Sequence, residues 1–337
     1  MKAWLLYDQA KVEERPLRYV DNYQEPEGRR GYVLVKISHV GLCRTDLHIL
    51  EGDIPLHKKP IVLGHQIVGY VKEVYGDVTS FVVGDRVGLT WLYESCGSCK
   101  MCINGLENYC PNILRTGWDV DGGYAEYVLA NPKYLVDLRD LKYSDPDLAP
   151  MMCPGVTGYL GFKLSRVGPG DRLGIIGYGP TAHDLMRLCN SLSIEVYVST
   201  RSEHHKEMAA REGAVWVGNV LEEDFPRELD AIISFPPIGH HVNKILKFIK
   251  PGGTLVLSQI ESYTDIHISN YWMNMWGRRI ETVYNVRRNI INEFIDLSKN
   301  IDFSIDEKLI RFEDIMDYLV RVRRGEIDKI TVVAKVD

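Results

Sequence analysis

The stretch Arg172-Leu-Gly-Ile-Ile-Gly-Tyr-Gly-Pro-Thr-Ala182 predicts a buried strand that runs into a glycine turn and then into a helix. Gly177 allows the tight turn, and Gly179 lets backbone amides approach a pyrophosphate without an intervening side chain. The helix N-terminus then faces the negative charge of the phosphates. The alternative is an ordinary strand-to-helix turn. The expected dinucleotide contacts are Gly177, Gly179, Pro180, Thr181 and Ala182.

The residues around this turn predict a parallel sheet with helices on both faces. Short apolar runs alternate with helical stretches throughout the second half of the chain. Because a second strand follows the turn after about twenty residues, the motif has the context that a dinucleotide-binding fold requires. The predicted strands are Arg172–Ile176, Ile194–Val198, Ala231–Ser234 and Thr254–Ser258.

The end of the second strand indicates which dinucleotide is bound. An acidic residue there would grip the ribose 2′-hydroxyl of NAD, but this chain has Ser199-Thr200-Arg201-Ser202. A carboxylate would repel a 2′-phosphate, whereas hydroxyls and a guanidinium can hydrogen-bond to it. We therefore expect NADP(H) to be preferred over NAD(H), with Ser199, Thr200 and Arg201 in contact with the coenzyme.

The first half of the chain predicts an all-β domain. Alternating stretches such as Tyr32–Ser38 and Ile67–Val74 are separated by glycine-rich turns, which is typical of a barrel with irregular loops. The 337 residues suggest two domains. We expect a catalytic domain at residues 1–153, a dinucleotide-binding domain at 154–286, and a return of residues 287–337 to the first domain. The predicted fold class is α/β.

Composition and charge exclude several classes of function. Hydrophobic residues make up 45% and charged residues 26% of the chain, which are the values of a globular protein with a large core. A net charge of −6 offers no general attraction to nucleic acid or to an anionic membrane. No signal peptide and no apolar run long enough to cross a membrane is evident. We expect a soluble cytoplasmic protein that binds neither nucleic acid nor membrane.

Six of the seven cysteines are candidate metal ligands. Four thiolates within a lobe at about residues 91–115 would satisfy a tetrahedral ion completely, as in a structural zinc site. Two further thiolates and one imidazole, from distant parts of the chain, would leave a fourth position open for water or substrate. The first set is Cys96, Cys99, Cys102 and Cys110, and the second is Cys43, His65 and Cys153.

An iron–sulfur cluster is the alternative for the four-cysteine lobe. Three cysteines at this spacing, followed by Cys110-Pro111, are similar to a ferredoxin pattern. The bacterial spacing, however, has three residues before the last cysteine, against seven here, and the cysteines for a second cluster are missing. Structural zinc is therefore the better prediction.

The ordered set of motifs resembles the zinc-dependent alcohol dehydrogenases of the medium-chain dehydrogenase/reductase superfamily over nearly the whole chain. The motifs are Gly41–Asp46, Gly64-His65, Val83–Val87, Cys96–Cys110, Gly122–Tyr127, Cys153–Thr157 and Gly177-Tyr-Gly179. The resemblance implies a GroES-like β-barrel catalytic domain, a Rossmann coenzyme domain, and an active site in the cleft between them. It also implies a homodimer or a homotetramer.

The resemblance implies a role for each matching residue. Two zinc ions are expected, one catalytic at Cys43, His65 and Cys153 and one structural at the four-cysteine lobe. Asp46 would hydrogen-bond the ligand imidazole, Thr45 would accept the proton of the alcohol, and His48 would pass that proton to solvent. Thr157 would lie near the nicotinamide, and Lys329 would reach the pyrophosphate.

The expected reaction is the interconversion of alcohols with aldehydes or ketones by hydride transfer to or from NADP(H). Trp91 and Trp118 are candidate pocket walls that would favour apolar, aromatic or alicyclic substrates. Gln66 stands where the resemblance leads us to expect Glu. Because Gln is neutral and Glu is negatively charged, we expect Gln66 to leave the metal more electrophilic. The alternatives are a reductase that works without the metal and a weakly active or inactive NADPH-binding regulatory protein of the same fold.

Overall fold

The structure is a computed structural model that describes residues 1–260 and 265–336. The chain forms two compact units, each described separately below. Unit 1 comprises Met1–Val156, Asn285–Asn300 and Ser304–Asp337, and unit 2 comprises Thr157–Tyr284 and Ile301–Phe303. Among the described residues, no helix combines the length and the apolar character needed to cross a membrane.

The elements are numbered in chain order. The strands are β1 (Ala3–Leu6), β2 (Leu17–Val20), β3 (Val33–Gly41), β4 (Ile61–Val62), β5 (Gln66–Val74), β6 (Arg86–Leu89), β7 (Leu92–Glu94), β8 (Leu114–Arg115), β9 (Tyr127–Ala130), β10 (Val136–Asp137), β11 (Arg172–Ile176), β12 (Glu195–Ser199), β13 (Trp216–Gly218), β14 (Leu229–Ser234), β15 (Ile249–Leu257), β16 (Arg279–Thr282), β17 (Glu307–Arg311) and β18 (Thr331–Lys335). The α-helices are α1 (Arg44–Glu51), α2 (Lys100–Ile103), α3 (Asp145–Pro150), α4 (Val156–Ser165), α5 (Pro180–Ser191), α6 (Glu203–Arg211), α7 (Val242–Leu246), α8 (Tyr271–Met275), α9 (Arg288–Ser298) and α10 (Ile315–Arg324).

Unit 2 contains a parallel sheet. Among the described residues its strands lie in the order β13-β12-β11-β14-β15-β16, and every neighbouring pair is parallel. The chain winds outward in one direction from β11 through β12 to β13 and in the other from β14 to β16. Ligands of such sheets bind at the carboxyl ends of the strands where the winding direction changes. The carboxyl end of β11 is this position, and the glycine turn at Gly177 follows it directly.

The core of unit 2 forms because β11 and its neighbours are apolar on both faces. Leu173 and Ile175 on β11 are fully buried and pack with Leu185, Met186 and Cys189 of α5. These three helix residues lie on one face, because positions three and four apart are neighbours on a helix surface. Cys189, the one cysteine outside the two metal-ligand sets, is therefore a core residue.

Unit 1 is built around a long antiparallel pair. β3 and β5 pair from Val33 opposite Val74 to Gly41 opposite Gln66. The chain leaves β3 at Gly41 just before Cys43, and it enters β5 at Gln66 just after His65. The antiparallel register therefore brings these two residues to the same end of the sheet. β18 pairs with the same end of β3, with Val333 opposite Gly41.

Strand positions agree with the sequence prediction, but some strands are longer. β11 has the predicted bounds, whereas the predicted strand Thr254–Ser258 is β15, which begins at Ile249. The added segment contains Pro251-Gly252-Gly253, and proline followed by two glycines is typical of a turn. Its pairing with β14 shifts register between Leu229 and Ala231, so an irregularity accommodates the turn-type residues inside the strand.

Unit 2 contains a buried carboxylate that the sequence pattern does not reveal. Asp184 on α5 is 2% exposed, and neither carboxylate oxygen has a hydrogen-bond partner among the described residues. Burial raises the pKa of this carboxyl group to about 7, and the neighbouring charges of His183 and Arg187 oppose the shift. The folded protein therefore holds a proton that the unfolded chain releases near pH 4.

We expect Asp184→Asn to remove a pH-dependent loss of stability. Between about pH 4 and pH 7 the unfolded chain ionises while the folded chain stays protonated, so the wild type loses stability as pH rises. Relative to the variant, its free energy of unfolding should fall by roughly 2 to 4 kcal/mol between pH 5 and pH 8. Urea unfolding at a series of pH values measures this. The exposed Asp224→Asn is the control, and parallel profiles for wild type and Asp184→Asn would contradict the prediction.

Candidate active site and metal centres

Unit 1 brings Cys43, His65 and Cys153 together, and we call this group the three-donor site. One ligand atom from each residue lies within 4.8 Å of the others, and the two sulfur atoms are 4.0 Å apart. Cys43 is the N-cap residue of α1, and His65 lies between Gly64 and the start of β5. Cys153 lies in the π-helical turn Met151–Gly155. Such turns occur frequently at functional sites because they redirect one side chain out of the helix pattern.

The Asp46 carboxylate holds the three-donor site in place. Asp46 is fully buried on α1 and accepts hydrogen bonds from the Cys43 amide at 3.0 Å, the Gly64 amide at 3.3 Å and the Tyr124 hydroxyl at 2.9 Å. Its Oδ1 also lies 3.2 Å from Nδ1 of His65. The carboxylate thus fixes the backbone beside Cys43 and beside His65, and it also fixes the ring orientation of His65.

The electrostatics of the three-donor site favour a cation. Burial would lower the pKa of His65, but the charges of Asp46 and Cys43 raise it to about 10. Hydrogen bonding with Cys153 lowers the pKa of the Cys43 thiol well below its ordinary value despite burial, and His65 assists. Because Nδ1 of His65 faces Asp46, Nε2 is the ring nitrogen available to a metal. Two thiolates and one imidazole fit a zinc ion with an open fourth position.

Thr45 and His48 lie one turn apart on α1, and both are half-buried. Nδ1 of His48 is 2.7 Å from Oδ2 of Asp53, which follows the C-terminal glycine of the helix. Asp53 is not among the functional residues predicted from the sequence. The available signal was its position five residues after a candidate proton carrier, in a Gly-Asp turn that ends the same helix.

The four cysteines of the lobe also converge. The sulfur atoms of Cys96, Cys99, Cys102 and Cys110 lie within 4.8 Å of one another, so all four can face one ion. Besides the short paired strands β7 and β8, the described residues of the lobe form α2 and a short 3-10 turn at Glu107–Tyr109. Arg288 anchors this turn through bonds of 2.8 and 2.7 Å to the buried carboxylate of Glu107. A closed set of four thiolates fits a structural zinc ion.

Trp91 and Trp118 lie in one aromatic column beside the metal donors. The Trp91 ring is 6.2 Å from the His65 ring and stacks at 5.9 Å on Trp118. Trp118 is 9% exposed, donates to the Pro55 carbonyl at 2.8 Å, and stacks at 4.3 Å on His57. Trp91 is therefore nearer the three-donor site than Trp118, which packing and a hydrogen bond hold in place.

The glycine turn of unit 2 has the geometry that a phosphate site needs. Gly177 has φ +83°, which side chains rarely adopt, and an added Cβ would meet Pro236 at 2.7 Å. An added Cβ at Gly179 would meet nothing within 4 Å, so space is open above the turn. α5 begins at Pro180 without a side-chain cap at Gly179, which leaves its first amides available to an anion.

The remaining predicted turn contacts differ in accessibility. The side chain of Ala182 is fully buried in the core, as expected for close helix packing, and Thr181 is half-buried. Thr157 on α4 is half-buried beside Gly158, where an added Cβ would lie 3.0 Å from the Thr181 carbonyl. The two helices therefore approach closely at this point.

The residues predicted to recognise the adenosine ribose are unequally exposed. Ser199 is 3% exposed, and its hydroxyl accepts a 2.9 Å bond from the Val220 amide. Thr200 is also buried, whereas Arg201 is exposed. The exposed Ser202 caps α6 by accepting from the His205 amide. The guanidinium of Arg201 is thus the most accessible of the predicted groups.

Lys329, which the sequence analysis linked to the pyrophosphate, is paired within unit 1. Its ammonium group lies 2.6 and 2.8 Å from the two carboxylate oxygens of Asp306. The ion pair with Asp306 satisfies the ammonium group in the absence of a ligand. The contact between Lys329 and the pyrophosphate stays a prediction.

We expect Tyr124→Phe to destabilise unit 1 more than Tyr93→Phe does. Both hydroxyls donate one hydrogen bond, but Tyr124 donates to the buried Asp46 carboxylate and Tyr93 donates to the Leu129 carbonyl at 2.8 Å. A bond to a charged group contributes about 1.5 to 3 kcal/mol, against about 1 for a neutral one. Urea unfolding of both variants tests this. Equal losses in the free energy of unfolding would show that the Tyr124 hydroxyl contributes no additional stability through the Asp46 carboxylate.

Comparisons with known proteins agree with this architecture. The family model described as the alcohol dehydrogenase GroES-like domain matches residues 29–140. A probable alcohol dehydrogenase of Mycobacterium tuberculosis is 36% identical over 304 residues, which cover 88% of this chain and 87% of that protein. The expected GroES-like domain is therefore confirmed.

Solved structures share the whole fold. A protein of Helicobacter pylori described as CAD, complexed with NADP(H), superposes with a TM-score of 0.87 at 24% identity, covering 99% of this chain and 97% of that one. An acetophenone reductase of Geotrichum candidum, in complex with NAD, gives the same TM-score, identity and coverage. The Rossmann-type sheet is confirmed, and the fold accommodates either coenzyme. The chain belongs to the zinc-type alcohol dehydrogenases of the medium-chain dehydrogenase/reductase superfamily, and it is an alcohol–aldehyde oxidoreductase.

Proposed function

We propose that this protein is a zinc-dependent, NADP(H)-preferring alcohol dehydrogenase that interconverts apolar or aromatic alcohols with aldehydes or ketones. The observation that carries the proposal is the convergence of Cys43, His65 and Cys153 on one point. Two thiolates balance the charge of Zn2+ formally, so neutral substrates suit the site. When bound, zinc stabilises negative charge on a substrate oxygen and thereby assists hydride transfer in both directions.

The proton and the hydride leave by separate routes in this proposal. The Thr45 hydroxyl accepts the proton of the alcohol at Oγ1 and releases its own proton, which His48 carries toward solvent. Nδ1 of His48 faces the Asp53 carboxylate at 2.7 Å, which leaves Nε2 to receive the proton. Asp53 thus fixes the tautomer and orientation of His48, as a carboxylate does for a general base.

Zinc in the cysteine lobe has a structural role in this proposal. The closed thiolate set leaves no position for a substrate, so the ion contributes by holding a segment with few regular hydrogen bonds. The ion pair between the buried Glu107 carboxylate and the partly exposed Arg288 guanidinium supports the same segment from the protein side. Loss of this ion should loosen the lobe before it affects chemistry.

The preference for NADP(H) rests on the residues that follow β12. The chain has no carboxylate between Ser199 and Ser202, and Arg201 is exposed at the N-terminal end of α6. A guanidinium can form paired hydrogen bonds to a phosphate, and the helix N-terminus adds positive potential. The buried Ser199 contributes less, because its oxygen already accepts a bond from Val220.

The preference for aromatic substrates rests on Trp91. Its half-buried ring lies 6.2 Å from the His65 ring and is parallel to that of Trp118. A flat apolar wall beside the metal donors favours substrates with a ring or an extended apolar chain. We assign Trp118 to the support of Trp91, because its own ring packs against His57 and Arg115.

We further infer that the protein forms homodimers or homotetramers. β16 is the end strand of the parallel sheet in the part of the chain that the structure describes. Large apolar side chains beside it on α8 are exposed, including Tyr271 at 72% and Trp272 at 70%. An edge strand with exposed aromatic neighbours is suited to self-association.

We expect about two zinc ions per purified chain. One ion belongs to the closed site in the four-cysteine lobe, and the other belongs to the open three-donor site. Cys43→Ser should retain about one ion and lose at least roughly a hundredfold in activity, since one thiolate donor of the open site is gone. Cys189→Ser, at a buried cysteine outside both sets, should keep both ions and its activity. Plasma emission spectrometry and NADPH absorbance with a panel of aldehydes and ketones measure these outcomes.

Absence of turnover by the wild type across that panel would contradict the proposed activity and favour an NADPH-binding protein without catalysis. One ion per wild-type chain would contradict the second metal site. A brown protein with charge-transfer absorbance would instead indicate an iron–sulfur cluster in the lobe.

We expect Arg201→Asp to reverse the coenzyme preference. The carboxylate would repel a 2′-phosphate and accept a hydrogen bond from a 2′-hydroxyl, so kcat/KM should fall for NADPH and rise for NADH. The ratio of the two values should change by at least roughly a hundredfold, or about 2.7 kcal/mol. Arg211→Asp makes the same charge change at the other end of α6 and is the control. An unchanged ratio in Arg201→Asp would defeat the assignment.

A further inference from the structure

Within the glycine turn of unit 2, the side chain of Tyr178 is the one that can pack against the rest of the unit. Tyr178 stands between Gly177 and Gly179, and neither glycine offers a side chain for packing. Tyr178 is 3% exposed and belongs to the buried core formed by β11 and α5. Because glycine has the greatest backbone freedom of any residue, a turn of this composition is costly to order without an anchor.

The Tyr178 hydroxyl donates a hydrogen bond to the Glu212 carboxylate, which directly follows the last residue of α6. The second carboxylate oxygen of Glu212 lies 2.9 Å from Nδ1 of His183, in the first turns of α5. The backbone carbonyl of Glu212 accepts a 2.7 Å bond from Asn190 near the end of α5. Glu212 therefore ties the glycine turn and both ends of α5 to α6.

The charges of this group suit a fixed acceptor. Burial would raise the pKa of Glu212, but the bonds from His183 and Tyr178 lower it, so the carboxylate is ionised at neutral pH. Burial and the neighbouring carboxylate raise the pKa of Tyr178, which therefore stays a neutral donor. A hydrogen bond from a neutral hydroxyl to a carboxylate is about twice as strong as one between neutral groups.

We propose that Glu212 is a positioning residue for coenzyme binding, which acts through Tyr178 and His183 to hold the glycine turn in the conformation that receives the dinucleotide pyrophosphate. The inference rests on the proposed function, because it requires that the turn bind a nicotinamide dinucleotide. Glu212 does not touch the coenzyme in this account. It lowers the conformational entropy that the turn loses on binding, which is how preorganisation increases affinity. Removal of one anchor should therefore weaken coenzyme binding and leave the hydride-transfer step unchanged.

The test compares Tyr178→Phe and Glu212→Gln with the wild type. Tyr178→Phe keeps the buried ring and removes only the donor, and Glu212→Gln keeps the shape and removes the charge. We expect the dissociation constant of NADPH, measured by its fluorescence on binding, to rise about five- to twentyfold in both variants. KM for NADPH should rise by a similar factor, while kcat at saturating NADPH should stay within about twofold of the wild type.

Tyr197→Phe is the matched control. Tyr197 is also buried in unit 2, and its hydroxyl also donates to a carboxylate, that of Glu195 at 3.1 Å, but it lies on β12 away from the turn. Loss of the Tyr197 hydroxyl should leave the dissociation constant of NADPH unchanged. Equal weakening of binding in Tyr197→Phe would show a general effect of lost stability and overturn the inference.

The outcomes separate this inference from the proposed function. If the wild type binds NADPH and Tyr178→Phe binds it equally well, the positioning role is overturned while the proposed function stands. Wild type that binds neither NADPH nor NADH would defeat the proposed function and this inference together. If Glu212→Gln does not fold, Tyr178→Phe still tests the positioning role, because this variant keeps the buried ring and its core packing.

Discussion

A single buried carboxylate is the constraint on which the three-donor site depends. Asp46 is fully buried, and a charge in that position is stable only if it is paired and hydrogen-bonded. Its partners are the Cys43 and Gly64 amides, the Tyr124 hydroxyl and the His65 ring. Cys43 lies three residues from Asp46, whereas Gly64-His65 and Tyr124 come from two distant segments of unit 1, so these segments must assemble before the carboxylate can be buried. The same assembly places Cys43 beside His65.

The two metal-donor sets depend on the fold to different degrees. The four cysteines of the lobe lie within fifteen residues, so a metal ion can gather them with little help from the rest of the chain. Cys43 and Cys153 are 110 residues apart, and they meet because the β3–β5 register and the π-helical turn at Met151–Gly155 fix their positions. A site with an open fourth position needs this rigidity, because no fourth protein ligand completes its geometry.

The sequence predicts most of the framework because its signals are local. The strand and glycine turn at Arg172–Ala182, the cysteine spacing and each motif that resembles the known family occupy short segments, and the structure places the named donors together. Tyr178 and Glu212 are 34 residues apart, and Asp46 and Tyr124 are 78 apart. Such pairs follow no motif, since they form only when helices and strands pack. The burial of Ser199 has the same origin, because its bond to Val220 depends on the next crossover.

Catalysis in the proposed reaction requires an open fourth position at the three-donor site, and cobalt substitution can show whether that position is open. Cobalt(II) takes tetrahedral zinc sites and reports changes of its ligands through visible absorption. We expect an aromatic alcohol added with NADP+ to change the spectrum of about one cobalt ion per chain, while cobalt in the four-thiolate lobe keeps its spectrum. The change should be absent in Cys43→Ser. If no alcohol, aldehyde or ketone alters the wild-type spectrum, the three-donor site does not have an open fourth position for the substrate.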